Sequence, residues 1–189
     1  SSNSSLETGW CIYLSDAINT TIQENQFTTA DYKGGVFFAP SVSETKLINN
    51  TFNGCRIHST ISNQTFAYGN TVDGKSLIYL DDESDKIIDN AGLVYLFNCD
   101  NIVIKNSRPI HNYGISIQLV ETKNSEILNC RGYISLTNSS NNTIHDNQIN
   151  SIQLISSIYN RIFANKITYS SICIKLSNSS NYNEIYSRL

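Results

Sequence analysis

The 189-residue chain predicts an all-β protein: a single-domain right-handed parallel β-helix, a solenoid of about eight to nine rungs. Three observations carry that prediction. A phrase Ile-x-x-Asn-x-Ile returns along the chain, a short apolar alternation of period two precedes its copies, and no stretch offers a helical stripe.

The phrase is clearest as Ile22 to Phe27 with Asn25, Leu47 to Phe52 with Asn50, Ile144 to Ile149 with Asn147, and Ile162 to Ile167 with Asn165. Weaker copies pair Ile87 with Asn90, Ile104 with Asn106, Ile127 with Cys130 in the asparagine slot, and Ile185 with Ser187, with a poor match near Ala67. Successive anchors step by 25, 20, 20, 17, 23, 17, 18 and 23 residues. Such spacing describes stacked coils with loops of variable length, none of which buries its apolar face alone.

Strands are predicted at Ile12-Tyr13-Leu14, Val36-Phe37-Phe38, Ile115 to Leu119, Ile134-Ser135-Leu136, Ile152-Gln153-Leu154 and Ile172 to Leu176. These alternations are too short for helices and fit half-buried strands. Inward Ile, Leu, Val and Phe suit a pleated, buried surface. Each contributes ~1.5 to 3 kcal/mol on burial, which offsets the ordering entropy and predicts one long thin core. No Pro-rich or Ser/Gly-rich linker divides residues 10–189, the expected β-helix domain, whereas the Ser-rich residues 1–9 read as a flexible start. Asn25, Asn50, Asn90, Asn147 and Asn165 are expected at coil corners. Asn tolerates the left-handed backbone region there, and its amide can hydrogen-bond rung to rung as a ladder.

Segments such as Asn141 to Ile149 resemble the right-handed parallel β-helix repeat family. That family includes the domain shared by carbohydrate-binding proteins and sugar hydrolases, and the periplasmic accessory proteins of nitrous oxide reductase. The resemblance spans about Trp10 to Tyr186. It implies the fold and is nearly silent about chemistry, because one scaffold serves lyases, hydrolases, adhesins and structural proteins.

Asn3, Asn19, Asn49, Asn63, Asn138, Asn141 and Asn178 each begin an Asn-x-Ser/Thr triplet and are candidate N-glycosylation sites. The chain contains no Met, which reads as loss of an initiator and a signal peptide, and no apolar run reaches the ~20 residues of a membrane span. An extracellular or cell-surface location is expected, archaeal on resemblance alone. A net charge of -3 without a Lys/Arg run argues against nucleic-acid partners.

Cys11 and Cys173 lie in nearly identical contexts, Cys11-Ile-Tyr-Leu-Ser15 and Cys173-Ile-Lys-Leu-Ser177. They are too distant to bond within one stack. Stacking of a second molecule end to end would bring them within the ~4.4 to 6.8 Å that a disulfide spans between Cα atoms. They are therefore candidates for an intersubunit disulfide, two free thiols being the alternative. Cys55, Cys99 and Cys130 occupy different phases, and Cys130 reads as a buried asparagine substitute.

No catalytic constellation is recognisable. The dense acidic run Asp81-Asp82-Glu83-Ser84-Asp85 lacks a Gly-His-Gly or Arg-x-Lys companion, and His58, His111 and His145 are scattered. A weak calcium site at Asp81, Asp82 and Asp85 is the only cofactor suggested, and no zinc spacing is present. The ends carry no capping helix, so their strand edges are expected to accept further strands. The expected function is a non-catalytic extracellular structural subunit, a homopolymer that builds a filament or surface layer by head-to-tail stacking. The competing reading is a carbohydrate-binding or degenerate polysaccharide-processing module. Tyr13, Tyr79, Tyr95, Tyr133, Tyr159 and Tyr169 alternate with apolar residues, so several are expected outward where they could stack on glycans.

Overall fold

The structure, a computed structural model, describes residues 12–28, 35–38, 42–54, 56–59, 65–109, 115–168 and 171–187, with backbone alone at 35–38, 56–59 and 65–66. The expected flexible segment 1–9 with Asn3 lies outside these residues, as do Cys11, Cys55, Asn63, His111 and Tyr169. Every regular element among the described residues is a β-strand, as the period-two alternation and the absence of a helical stripe dictate.

Residues 12–72 form parallel ladders. β1 (Ile12–Leu14), β4 (Gly35–Phe38) and β7 (Arg56–Ser59) make one sheet, and β2 (Thr21–Gln23), β5 (Thr45–Ile48) and β8 (Thr65–Tyr68) a second. β3 (Gln26–Thr28), β6 (Thr51–Asn53) and β9 (Thr71–Val72) pair in the same sense. Ile22 lies beside Leu47, Leu47 beside Ala67, and Phe27 beside Phe52, so equivalent residues of successive repeats stack.

Residues 75–187 repeat the plan more regularly. The long strands β10 (Lys75–Asp81), β12 (Leu93–Phe97), β14 (Ile115–Val120), β16 (Arg131–Thr137) and β18 (Gln148–Ile155) pair in parallel. β20 (Lys166–Ile167) and β21 (Ile174–Ser177) both continue from β18. A second parallel sheet holds β11 (Ile87–Asp89), β13 (Val103–Lys105), β15 (Glu126–Leu128), β17 (Thr143–His145), β19 (Arg161–Phe163) and β22 (Glu184–Tyr186). Between the two sheets run single-residue bridges through Ser84, Asp100, Lys123, Ser140 and Ile158. In these three-residue strands the central side chain points inward, so Ile88, Ile104, Ile127, Ile144 and Ile162 are buried. Ile87 is 68% exposed; the anchor of that repeat is Ile88, one residue later than the sequence phrase suggests.

β9 and β10 meet antiparallel. Asp73 and Gly74 between them have φ of 50° and 75°, the conformation a two-residue Asp-Gly hairpin requires. Beyond this reversal β12 is buried on both faces. Val94 and Leu96 of β12 join a core with Ile104, Ile117, Ile134 and Ile152, whereas Leu93, Tyr95 and Phe97 join another with Ile22, Leu47 and Phe52. β10 divides likewise, Ile78 and Leu80 to the first core and Leu77 and Tyr79 to the second. Successive strand residues face opposite ways, so the two cores lie on opposite faces of a shared sheet. The single thin column expected from sequence is thus two columns side by side. For the same reason Tyr95, one of the six tyrosines of which several are expected outward, is 1% exposed, and Tyr79 is half-buried beneath the N-terminal repeats.

Candidate functional site

From residue 121 onward the corners share one device. A residue with left-handed backbone is followed by a residue whose side chain bonds to the preceding layer. In the layer 138–147 the left-handed residues are Asn138, Asn141 and Asp146, with φ of 49°, 56° and 53°, and Ser139, Asn142 and Asn147 follow them. Backbone geometry and ladder bonding, expected of one asparagine, therefore fall on two adjacent residues. Asn25, Asn50, Asn147 and Asn165 occupy the bonding slot, after Glu24, Asn49, Asp146 and Ala164. Asn90 does not. It is itself left-handed at φ 58°, is exposed and accepts from Lys75 Nζ at 3.0 Å, while the slot holds buried Ala91. The one-residue shift of its anchor explains the difference. Asn106, two residues after the unshifted anchor Ile104, is likewise left-handed, and Ser107 takes the slot.

Each slot asparagine that has a layer beneath it makes two kinds of bond. Asn147 Oδ1 accepts the Cys130 N–H at 2.8 Å, and its Nδ2 donates to the Ile127 carbonyl at 3.0 Å. Asn165 repeats this one layer on, accepting from the Asn147 N–H at 3.1 Å and donating to Ile144 at 2.8 Å. Asn70, hidden by its weak Ala67 anchor, does the same toward the Asn50 N–H and the Leu47 carbonyl. Cys130 fills an asparagine slot with its Sγ 3.1 Å from the Leu128 carbonyl, and burial pushes its thiol up to about 11. Burial also raises the Cys99 thiol, so neither is a reactive thiolate.

Two further ladders escaped sequence reading. Ile102, Ser125, Asn142 and Asn160 donate their N–H groups in turn to Ser125, Asn142, Asn160 and Asn183 side chains at 2.8 to 3.0 Å. Cys99, Thr122, Ser139 and Ser157 donate to the hydroxyls of Thr122, Ser139, Ser157 and Ser180. Their signal is a Ser or Asn two residues, and a Ser or Thr five residues, before an anchor Ile, as with Ser139, Asn142 and Ile144.

The backbone N–H bonds of all three ladders run one way, to a side chain of the next layer. At the last described layer the Ser180 and Asn183 N–H groups therefore have no side chain above them among the described residues. Apolar surface is concentrated there too: Leu176 is 41% exposed, Ile185 47% and Tyr182 72%. Two aromatic stacks end in this layer, His145–Phe163–Tyr186 with centroids 5.0 and 5.2 Å apart and Tyr159–Tyr182 at 5.2 Å. Tyr159 and Tyr182 both have φ of 57°, a conformation that costs about 1 to 2 kcal/mol, which ring stacking partly offsets.

The remaining sequence candidates are dispersed. Asn19, Asn49, Asn138, Asn141 and Asn178 are all left-handed and exposed at corners. Cys173 is an exposed free thiol. Asp82 and Asp85 are left-handed and accept from Asn98 and Asn101 at 3.1 and 2.7 Å, and those bonds with Asn101 and Ser84 hold the Asp85 carboxyl low. Burial, then the neighbouring Asp82, raises Asp81. Among the described residues no group of three His, Cys, Asp or Glu side chains could hold a metal ion. His145 is held between Asp146 and Glu126, each at 2.7 Å. Arg108, Arg131 and Lys166, far apart in sequence, line one groove beside Asp146 and Gln148. No helix among the described residues is long and apolar enough to cross a membrane.

No protein-family model and no curated protein matches the chain. Among solved structures, a trypsin-treated form of QnrB1, a plasmid-mediated fluoroquinolone resistance protein, is similar at 8% identity and a TM-score of 0.27, over 88% of this chain and 89% of that one. A likeness of that size carries no argument about function.

Proposed function

We propose that this protein is a non-catalytic structural subunit of the cell exterior, its two blocks wound as right-handed parallel β-helical coils that associate end to end through strand addition. The observation that carries the reading is the 174–186 layer, where exposed Leu176, Ile185 and Tyr182 surround N–H groups whose counterparts in every earlier ladder layer are bonded. Edge strands with apolar, flat surfaces recruit further strands unless charge or a cap blocks them. The exposed corner asparagines Asn19, Asn49, Asn138, Asn141 and Asn178 fit N-linked glycans on the lateral surface of such an assembly.

Light scattering and negative-stain microscopy of the purified chain test this reading. Concentration-dependent linear oligomers are expected, and a monomer at every concentration overturns it. Exposed Tyr13, Tyr159 and Tyr182 favour glycan binding as the second reading, and saturable sugar affinity by that monomer would support it.

A further inference from the structure

Resting on the proposed end-to-end association, a further step assigns its register. Two layers could in principle receive the 174–186 end. One begins with Ile12-Tyr13-Leu14-Ser15 and the other with Ile78-Tyr79-Leu80-Asp81, and both match Ile174-Lys175-Leu176-Ser177 in their inward Ile and Leu.

The second is blocked by its own residues. Its ladder slots hold Glu83, Lys86 and Ala91, with Glu83 and Lys86 joined in an ion pair at 2.9 Å. Slot side chains serve the layer beneath them, so a layer without slot amides or hydroxyls has no ladder to offer below. Paired charges on an edge also discourage strand addition. Tyr79, which Lys175 would sit beside, is covered by the N-terminal repeats, so the ammonium would be placed against the second core.

The first layer differs at each point. Asn25 carries a slot amide whose Nδ2 turns back to the Gln23 carbonyl at 2.9 Å, whereas Asn50 Nδ2 reaches the Ile22 carbonyl of the layer beneath it. Thr20 offers a hydroxyl in the slot that Asn183 fills in the last layer. Tyr13 is 58% exposed, where Lys175 would lie over its ring in water.

We propose that a second copy of this chain is the partner, its layer 12–25 seated on layer 174–186 of the first. β21 then pairs in parallel with β1, Ile174 beside Ile12 and Leu176 beside Leu14. β22 pairs with β2, Ile185 beside Ile22, and the Asn183 N–H donates to Thr20 Oγ1. The contact continues the inward column and one corner ladder across the joint without a change of register.

Sedimentation of the full chain tests the assignment through a charge exchange. Tyr13→Lys places an ammonium opposite Lys175 and should weaken association about three- to fivefold, and combining it with Lys175→Glu should restore it. Ile87→Glu, at the alternative edge, should leave association unchanged. Each variant must first melt as the parent does. If Ile87→Glu abolishes association while Tyr13→Lys does not, the register is wrong and end-to-end assembly still stands. Association that ignores both substitutions places the joint elsewhere. If the parent chain itself never associates, the assembly reading and this register fall together.

Discussion

In residues 121–187 the corner slots, Cys130 apart, hold Ser, Thr and Asn bonded layer to layer, whereas in 12–72 two of the three corners carry Ala17 and Val42, or Thr20 and Thr45. Thr45 is buried, yet its Oγ1 finds no hydrogen-bond partner among the described residues. The C-terminal block is therefore closed by directional bonds around an Ile-rich column. The N-terminal block is held by one asparagine ladder, by the stacked rings of Phe27 and Phe52 at 5.3 Å, and by the outer face of β10 and β12. A repeat that satisfies its own corners stands as a stack. A repeat that does not leans on a neighbour, and here the neighbour is the other block.

The largest way to break this asymmetry is Tyr95→Ala, which removes the largest side chain shared between the blocks. A loss of about 3 to 5 kcal/mol is expected. Hydrogen exchange should show residues 45–53 losing protection while 134–154 keep theirs, and uniform loss would show that the blocks unfold as one. Next in size is Asn142→Leu, which strands the buried Ser125 N–H at about 1 to 3 kcal/mol and leaves the Thr122 carbonyl to the Ser140 N–H alone. Thr45→Val, at the corresponding N-terminal slot, should be nearly neutral in urea titration, and equal costs at both sites would remove the contrast. Ala164→Gly relieves a left-handed alanine at φ 51° and should raise stability by about 0.5 to 1 kcal/mol in the same titration.

The smallest expected effect is a pH dependence. Burial pulls the His145 pKa down, but hydrogen bonds and charge from Asp146 and Glu126 outweigh it and hold the imidazole above its ordinary range. A folded-state pKa raised above the unfolded one contributes stability below the unfolded value, and that contribution is lost as pH rises through the folded value. The parent chain should therefore melt at a lower temperature as pH rises from about 6 through 8. His145→Gln should flatten that slope, and an unchanged slope would assign it to other groups.

The strands and four of the five ladder asparagines were legible because anchor and slot keep a fixed spacing, as Ile144 does with Asn147. Asn90 was misplaced because Ile87 and Ile88 are both apolar and only burial tells which points inward. The serine and second asparagine ladders were hidden because short polar residues before an anchor have the composition of an ordinary loop. The second core was hinted at by Leu93-Val94-Tyr95-Leu96-Phe97, an unbroken apolar run of the kind a strand buried on both faces requires. Asp73-Gly74 has the composition of a turn, but a turn between repeats and a reversal of strand direction look alike in sequence. The groove that gathers Arg108, Arg131 and Lys166 depends on stacking distance alone, which no linear pattern of charges reveals.

The one-way donation between neighbouring layers makes length a modular property. A segment such as 138–155 gives to the layer that follows and receives from the layer before through the same atoms, so duplicating or excising it would join like surfaces to like. The protein can be lengthened or shortened by whole steps, while a partial insertion between corners would misalign every polar contact downstream.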